Sequence, residues 1–166
     1  MKELLQQYAA YNVWASKTLF ERINKLSEEE INKEIASSFP SIYKTVQHMW
    51  LAEEVWFQRL KLVENIELQS DKFTGGFNEL SANLAKQSQQ WIDWVNAATE
   101  PQLTHVFAYV RNKEQLKQPV YQMLQHVFNH ATYHRGQLVT MLRQLGADKI
   151  PATDFSAFCR LKRTNV

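Results

Sequence analysis

The stretch VYQMLQHVFNHATYHRGQLVTMLRQL, residues 120–145, decides the fold. Val120, Met123, Leu124, Val127, Ala131, Leu138, Met141, Leu142 and Leu145 recur at three- and four-residue steps, the period of one buried helical stripe. With Val127 set at zero on a wheel of about 100° per residue, the stripe covers about −40° to +60°. Pro119 suits a first helical position and Gly146 marks the far end.

Working outward, three more long helices are expected. One runs from Lys2 to Leu26, with Leu5, Tyr8, Ala15, Leu19, Ile23 and Leu26 on its apolar side. Another runs from Ser41 to Val63 and is apolar on two sides. His48, Leu51, Ala52, Val55 and Leu62 share one; Val46, Trp50 and Phe57 share the other. Such a helix is central or lies at a subunit contact. The third spans Phe77 to Ala98, with Phe77, Leu80, Leu84, Ser88, Trp91 and Val95 in alternating steps.

Connections follow from local chemistry. Ser27 and Glu30 form a capping-box pattern ahead of a short helical turn over Glu28 to Glu34. Phe39-Pro40 breaks the chain, and residues 64–76, ending in Gly75-Gly76, read as loop. His105-Val106-Phe107-Ala108-Tyr109-Val110 is β-branched and aromatic, which predicts a hairpin or extended excursion within 99–118. The tail is non-helical at its start because Pro151 intervenes. The expectation is an all-α, four-helix bundle with a short excursion before the last long helix, one domain over 1–166.

Composition excludes several classes. Nineteen Lys and Arg against 17 Asp and Glu give a net charge of +2, too small to indicate a nucleic-acid binder. No apolar run is long enough to span a membrane, and the polar start at Lys2, Glu3, Gln6 and Gln7 is unlike a signal peptide. The single Cys159 cannot form an internal disulfide, and a cytoplasmic location is expected. As an unpaired thiol or a small tail hydrophobe, Cys159 fits the second description better.

The histidines carry the functional signal. His126, His130 and His134 are four residues apart, so they stack along one side of a helix. Their phases are about −100°, −60° and −20°, so His134 lies inside the apolar stripe, His130 at its edge and His126 outside it. Two core-facing imidazoles at this spacing can grip one metal ion, and without one they leave buried polar atoms to satisfy. A third ligand must come from another helix, and His48 is the best placed; His105, in the irregular segment, is the weaker alternative. His126 is a flanking residue or a support to the ligands. Gln137, near −80° and so on the His130 side, could orient a ligand.

Other metal templates fail. No Glu follows His126 or His130, no Glu-x-x-His pair occurs, and a single Cys cannot build a closed thiolate site. What remains is a mononuclear site of three neutral ligands, with charge uncompensated and positions open for water, a thiolate or a carboxylate.

At this point the chain resembles the DinB/YfiT-like family of metal-dependent four-helix bundles. His130-Ala131-Thr132-Tyr133-His134-Arg135-Gly136-Gln137 is similar to that family's His-x-x-x-His-Arg-Gly-Gln helix. Ser38-Phe39-Pro40-Ser41-Ile42, leading through His48 to Ala52-Glu53 and Trp56, resembles the segment that carries its first ligand. Tyr11-Asn12-Val13-Trp14-Ala15 and Pro151-Ala152-Thr153-Asp154 also match, with Ser16 where Asn is common. The resemblance implies a bundle, often dimeric, with one divalent metal on His48, His130 and His134. It also implies transferase or isomerase chemistry with thiols such as bacillithiol, mycothiol or glutathione.

Three functions are therefore weighed. The first is a zinc- or nickel-dependent enzyme that transfers a low-molecular-weight thiol to a small electrophile, or performs metal-assisted hydrolysis. The second is a non-catalytic metal-binding stress protein. The third is a helical homodimer with structural histidines and no metal. The catalytic residue is not assigned: Glu53 lies about 140° from His48 on the wheel and Tyr133 merely adjoins a ligand. Gly136 is expected to allow close helix packing, Arg135 to form a structural salt bridge, and some Trp residues to wall a substrate pocket.

Overall fold

The computed structural model describes residues 1–111 and 113–163. Its elements are α1 (Lys2–Ile23), α2 (Glu28–Asn32), α3 (Ile42–Leu60), α4 (Gln69–Lys72), α5 (Phe77–Ala97) and α6 (Glu100–Thr104). These are followed by β1 (Val106–Arg111), β2 (Glu114–Pro119), α7 (Val120–Gln144) and α8 (Phe155–Arg163). The long helices α1, α3, α5 and α7 form the bundle: α1 and α3 each pack on both α5 and α7.

The caps explain where several elements begin and end. Ser27 Oγ accepts the Glu30 amide, and Glu30 returns a carboxylate to the Ser27 amide, so the expected capping box forms. Ser41 Oγ caps α3 through the Lys44 amide at 3.2 Å. Gly146, at φ 83°, closes α7: its amide and that of Ala147 bond back to the Arg143 and Leu142 carbonyls.

Two short helices arise where loop or excursion was expected. Thr99 and Gln102 make a second capping box ahead of α6, a pattern legible as Thr-x-x-Gln. α4 has a different cause. Buried Glu54 of α3 accepts the Gln69 and Ser70 amides at 2.9 and 3.1 Å, capping four residues from another helix. The excursion itself is an antiparallel hairpin, with Val106 opposite Pro119 and Arg111 opposite Glu114.

Of the two apolar sides of α3, one is packed inside the chain, while on the other Leu51, Ala52 and Val55 are half-buried and Leu62 is exposed. Val46 and Trp50 are buried, and Phe57 meets Trp91 of α5 edge-on at 4.9 Å. Tyr8, expected in the α1 stripe, is more than a third exposed and stacks on Phe155 of α8. In its place the α1 core face carries two polar residues, Asn12 and Ser16, both buried.

Candidate metal centre

α3 and α7 bring three imidazoles together. His48 Nε2 lies 3.2 Å from His130 Nε2, which lies 3.0 Å from His134 Nε2. One ring nitrogen from each falls within 4.8 Å of the others. The helical phases correspond: His134 is buried and His130 half-buried, while His126 is exposed. His48, the inferred third member, is half-buried.

The environment keeps these rings neutral. Burial pushes His48 down to about 4, and the neighbouring His134 adds to that effect. Burial likewise pushes His130 to about 4, helped by His134, His48 and His126. His134 is lowered by burial against the bond from Gln137. Neutral imidazole is the form that binds metal.

Gln137 sets the tautomer of His134. Its amide nitrogen donates to Ser38 Oγ at 2.8 Å and Tyr133 Oη at 3.1 Å, so its oxygen faces His134 Nδ1 at 2.7 Å. Nδ1 therefore carries the hydrogen, and the Nε2 lone pair points into the cluster. Phe39 stacks on His48 with centroids 4.1 Å apart and planes at 24°. The sequence showed Phe39 and Ser38 only as a chain break and a family segment.

These donors fit a divalent ion. Imidazole nitrogens about 2.0–2.1 Å from a common ion are about 3.0–3.4 Å apart in tetrahedral or octahedral arrangement. The observed separations of 3.0 and 3.2 Å match that spacing. Neutral rings supply at most one hydrogen per nitrogen pair, so converging lone pairs are left that an ion would satisfy.

A model of the DinB family matches residues 1–164. The chain belongs to the DinB family. Protein DinB of Bacillus subtilis (strain 168) is 31% identical, with 93% of this chain and 92% of that protein covered. A DinB-like protein from Bacillus cereus ATCC 10987 has the same fold at a TM-score of 0.69 and 20% identity, covering 90% of this chain and 95% of its own. A DinB-like protein from Bacillus subtilis follows at 0.65 and 18%, covering 89% and 98%. The last two similarities show the helical bundle alone.

Other residues of the DinB-family motif differ from expectation. Arg135 is buried, yet among the described residues it forms no ion pair within 4.0 Å. Instead it donates to Asn12 Oδ1 at 2.6 Å, Ser16 Oγ at 3.2 Å and Thr132 Oγ1 at 2.8 Å, with the Tyr11 ring 5.3 Å away. Its link to a carboxylate is indirect, because Asn12 Nδ2 donates to Glu53 at 3.0 Å. Gly136 is exposed, and a Cβ there would meet nothing within 4 Å. Close packing within the chain is not its reason.

The remaining candidates lie apart from the centre. Glu53 points away, as its phase indicated, and accepts Ser88 Oγ at 2.7 Å. Burial pushes it up to about 7, against the Ser88 and Asn12 bonds and the Arg135 charge. His105 is the C-cap of α6 and lies outside the cluster. His126 touches His130 only ring to ring, at 5.9 Å. Tyr133 is mostly exposed, with its ring 5.0 Å from His134. Of the tryptophans, Trp56 is the one beside these rings, 5.1 Å from His126. Cys159 accepts a bond from Gln7 at 3.7 Å on the α1–α8 side. Among the described residues, no helix is long and apolar enough to cross a membrane.

Proposed function

We propose that His48, His130 and His134 hold one divalent ion of the zinc or nickel class through Nε2. We further propose that the protein uses it to transfer a low-molecular-weight thiol to a small electrophile. The convergence of three neutral Nε2 atoms supports this reading most directly. When bound, the ion supplies Lewis acidity that lowers the pKa of a thiol at its open positions.

The chain's residues position and shield. Gln137 holds the His134 tautomer, and Phe39 fixes the plane of His48 while covering it from water. Glu53 is committed to Ser88 and Asn12, and among the described residues no carboxylate joins the histidine cluster. A nucleophile activated without a side-chain base is therefore favoured over hydrolysis.

The test is conjugation of chlorodinitrobenzene with glutathione, bacillithiol or mycothiol by zinc- or nickel-loaded protein. Conjugate should form faster than in buffer for at least one thiol, and His134→Ala should return it to the buffer rate. No acceleration with any thiol, in protein that carries its ion, would refute thiol transfer while leaving the metal site intact.

A further inference from the structure

A row of rings continues from the three histidines along the seam of α3 and α7 toward the hairpin. His130 lies 5.9 Å from His126, and His126 lies 5.1 Å from Trp56, centroid to centroid. Trp56 meets Tyr109 of β1 at 5.0 Å. There the Arg59 guanidinium carbon sits 4.7 Å from the Trp56 ring and 5.2 Å from the Tyr109 ring. The two rings hold the flat cation by its faces and leave its edges for hydrogen bonds.

Those edges are underused. Arg59 donates to the Val110 carbonyl at 3.4 Å, a weak contact for a group with five N–H donors. Arg111 follows Tyr109 by two residues, so it shares that face of β1. Glu114 stands opposite Arg111 in the hairpin register. Among the described residues, no carboxylate oxygen lies within 4.0 Å of either arginine. A half-buried guanidinium beside a second cation, with no anion on it, is costly unless a ligand supplies the charge.

We infer that Arg59, Arg111 and His126 form the anion-binding end of an elongated substrate site whose other end is the three-histidine centre. The ligand is a thiol carrying a carboxylate at a distance. Arg59 lies eleven residues beyond His48, so the two ends stand about 16 Å apart along α3, and the bonds of sulfur to the ion and of carboxylate to the guanidinium take up part of that span. The planar fork of Arg59 matches a carboxylate with two parallel bonds. This inference rests on the thiol reading above, and its test separates the two.

Zinc-loaded protein is titrated calorimetrically with mercaptooctanoate, with mercaptooctanol of the same length, and with the short acid mercaptopropionate. Contact of sulfur with the ion is read separately from the charge-transfer band of cobalt-loaded protein. Mercaptooctanoate should bind about tenfold to hundredfold tighter than mercaptooctanol, the range of a charge-assisted hydrogen bond. Mercaptopropionate should show no such gain. Arg59→Gln should erase the preference for the acid, with both long thiols still giving the cobalt charge-transfer band. Arg111→Gln, at an exposed position, should cut the preference severalfold without touching the fold. Equal binding of acid and alcohol would overturn the anion end and leave thiol binding standing. Absence of the charge-transfer band with every thiol would overturn the thiol reading and this inference with it; its presence, with the acid preference preserved in both arginine variants, would overturn the anion end alone.

Discussion

The bundle core contains two polar clusters, and they are built on opposite principles. Around Arg135 donors and acceptors are paired within the chain: Asn12, Ser16 and Thr132 accept from the guanidinium, and Asn12 and Ser88 donate to Glu53. One network thus ties α1, α3, α5 and α7 together. Around His130 three ring nitrogens converge at 3.0 and 3.2 Å, and the polar support lies on the outer side, where Gln137 Oε1 accepts from His134 Nδ1. The first cluster is held by the chain's own partners; the second is completed by a cation in the function proposed above. Neighbouring residues of one helix, His134 and Arg135, belong to different clusters, so a single motif serves both binding and architecture.

The largest contrast should appear in stability. Arg135→Met leaves Asn12 Oδ1, Ser16 Oγ and Thr132 Oγ1 without their donor and should cost about 3 kcal/mol or more in denaturant unfolding. His134→Ala in metal-free protein should cost much less, because the partner it leaves, Gln137 Oε1, is only half-buried and can turn to water. Equal losses would erase the distinction. Asn12→Ala removes the bridge between Arg135 and Glu53 and should cost about 1–3 kcal/mol by the same measurement.

The two clusters should also tilt stability with pH in opposite senses. Glu53 is raised to about 7 from an ordinary 4.5, so the folded state holds its proton longer. Its contribution therefore falls as pH rises from 4.5 to 7, and Glu53→Gln should remove that slope. His48 and His130 are lowered to about 4 from 6.5, so the unfolded state takes protons first on acidification. Their contribution falls as pH drops from 6.5 to 4 in metal-free protein, and His48→Ala should flatten that slope. Slopes of the same sign in both variants would contradict the assignment.

The smallest effects concern the support of the histidines. Gln137→Ala frees the His134 ring and should weaken metal binding about tenfold to hundredfold without altering the melting temperature of metal-free protein. His126→Ala should leave metal stoichiometry at the wild-type value, since its ring stands 5.9 Å from His130 and outside the cluster.

Much of this was legible in the residues, for physical reasons. Helical phase separates His134 and His130 from His126 because a helix face is a geometric property of spacing alone. The Ser27–Glu30 box is equally local. Asn12 and Ser16 did leave a signal, standing one turn apart among core positions of α1, but their partner is 119 to 123 residues away. The Phe39 stack on His48 and the Glu54 cap on α4 are tertiary contacts that no local pattern records. Gly136 invited a packing explanation because a mid-helix glycine is unfavourable, yet its side of α7 is open.

The most direct test is elemental analysis of untagged protein purified without added metal, beside His48→Ala, His130→Ala and His134→Ala. About one zinc or nickel ion per chain in wild type, lost in all three variants, is the expected result for a single mononuclear site. A wild-type protein that takes up no ion from added Zn²⁺, Ni²⁺ or Mn²⁺, or variants that keep theirs, would contradict it.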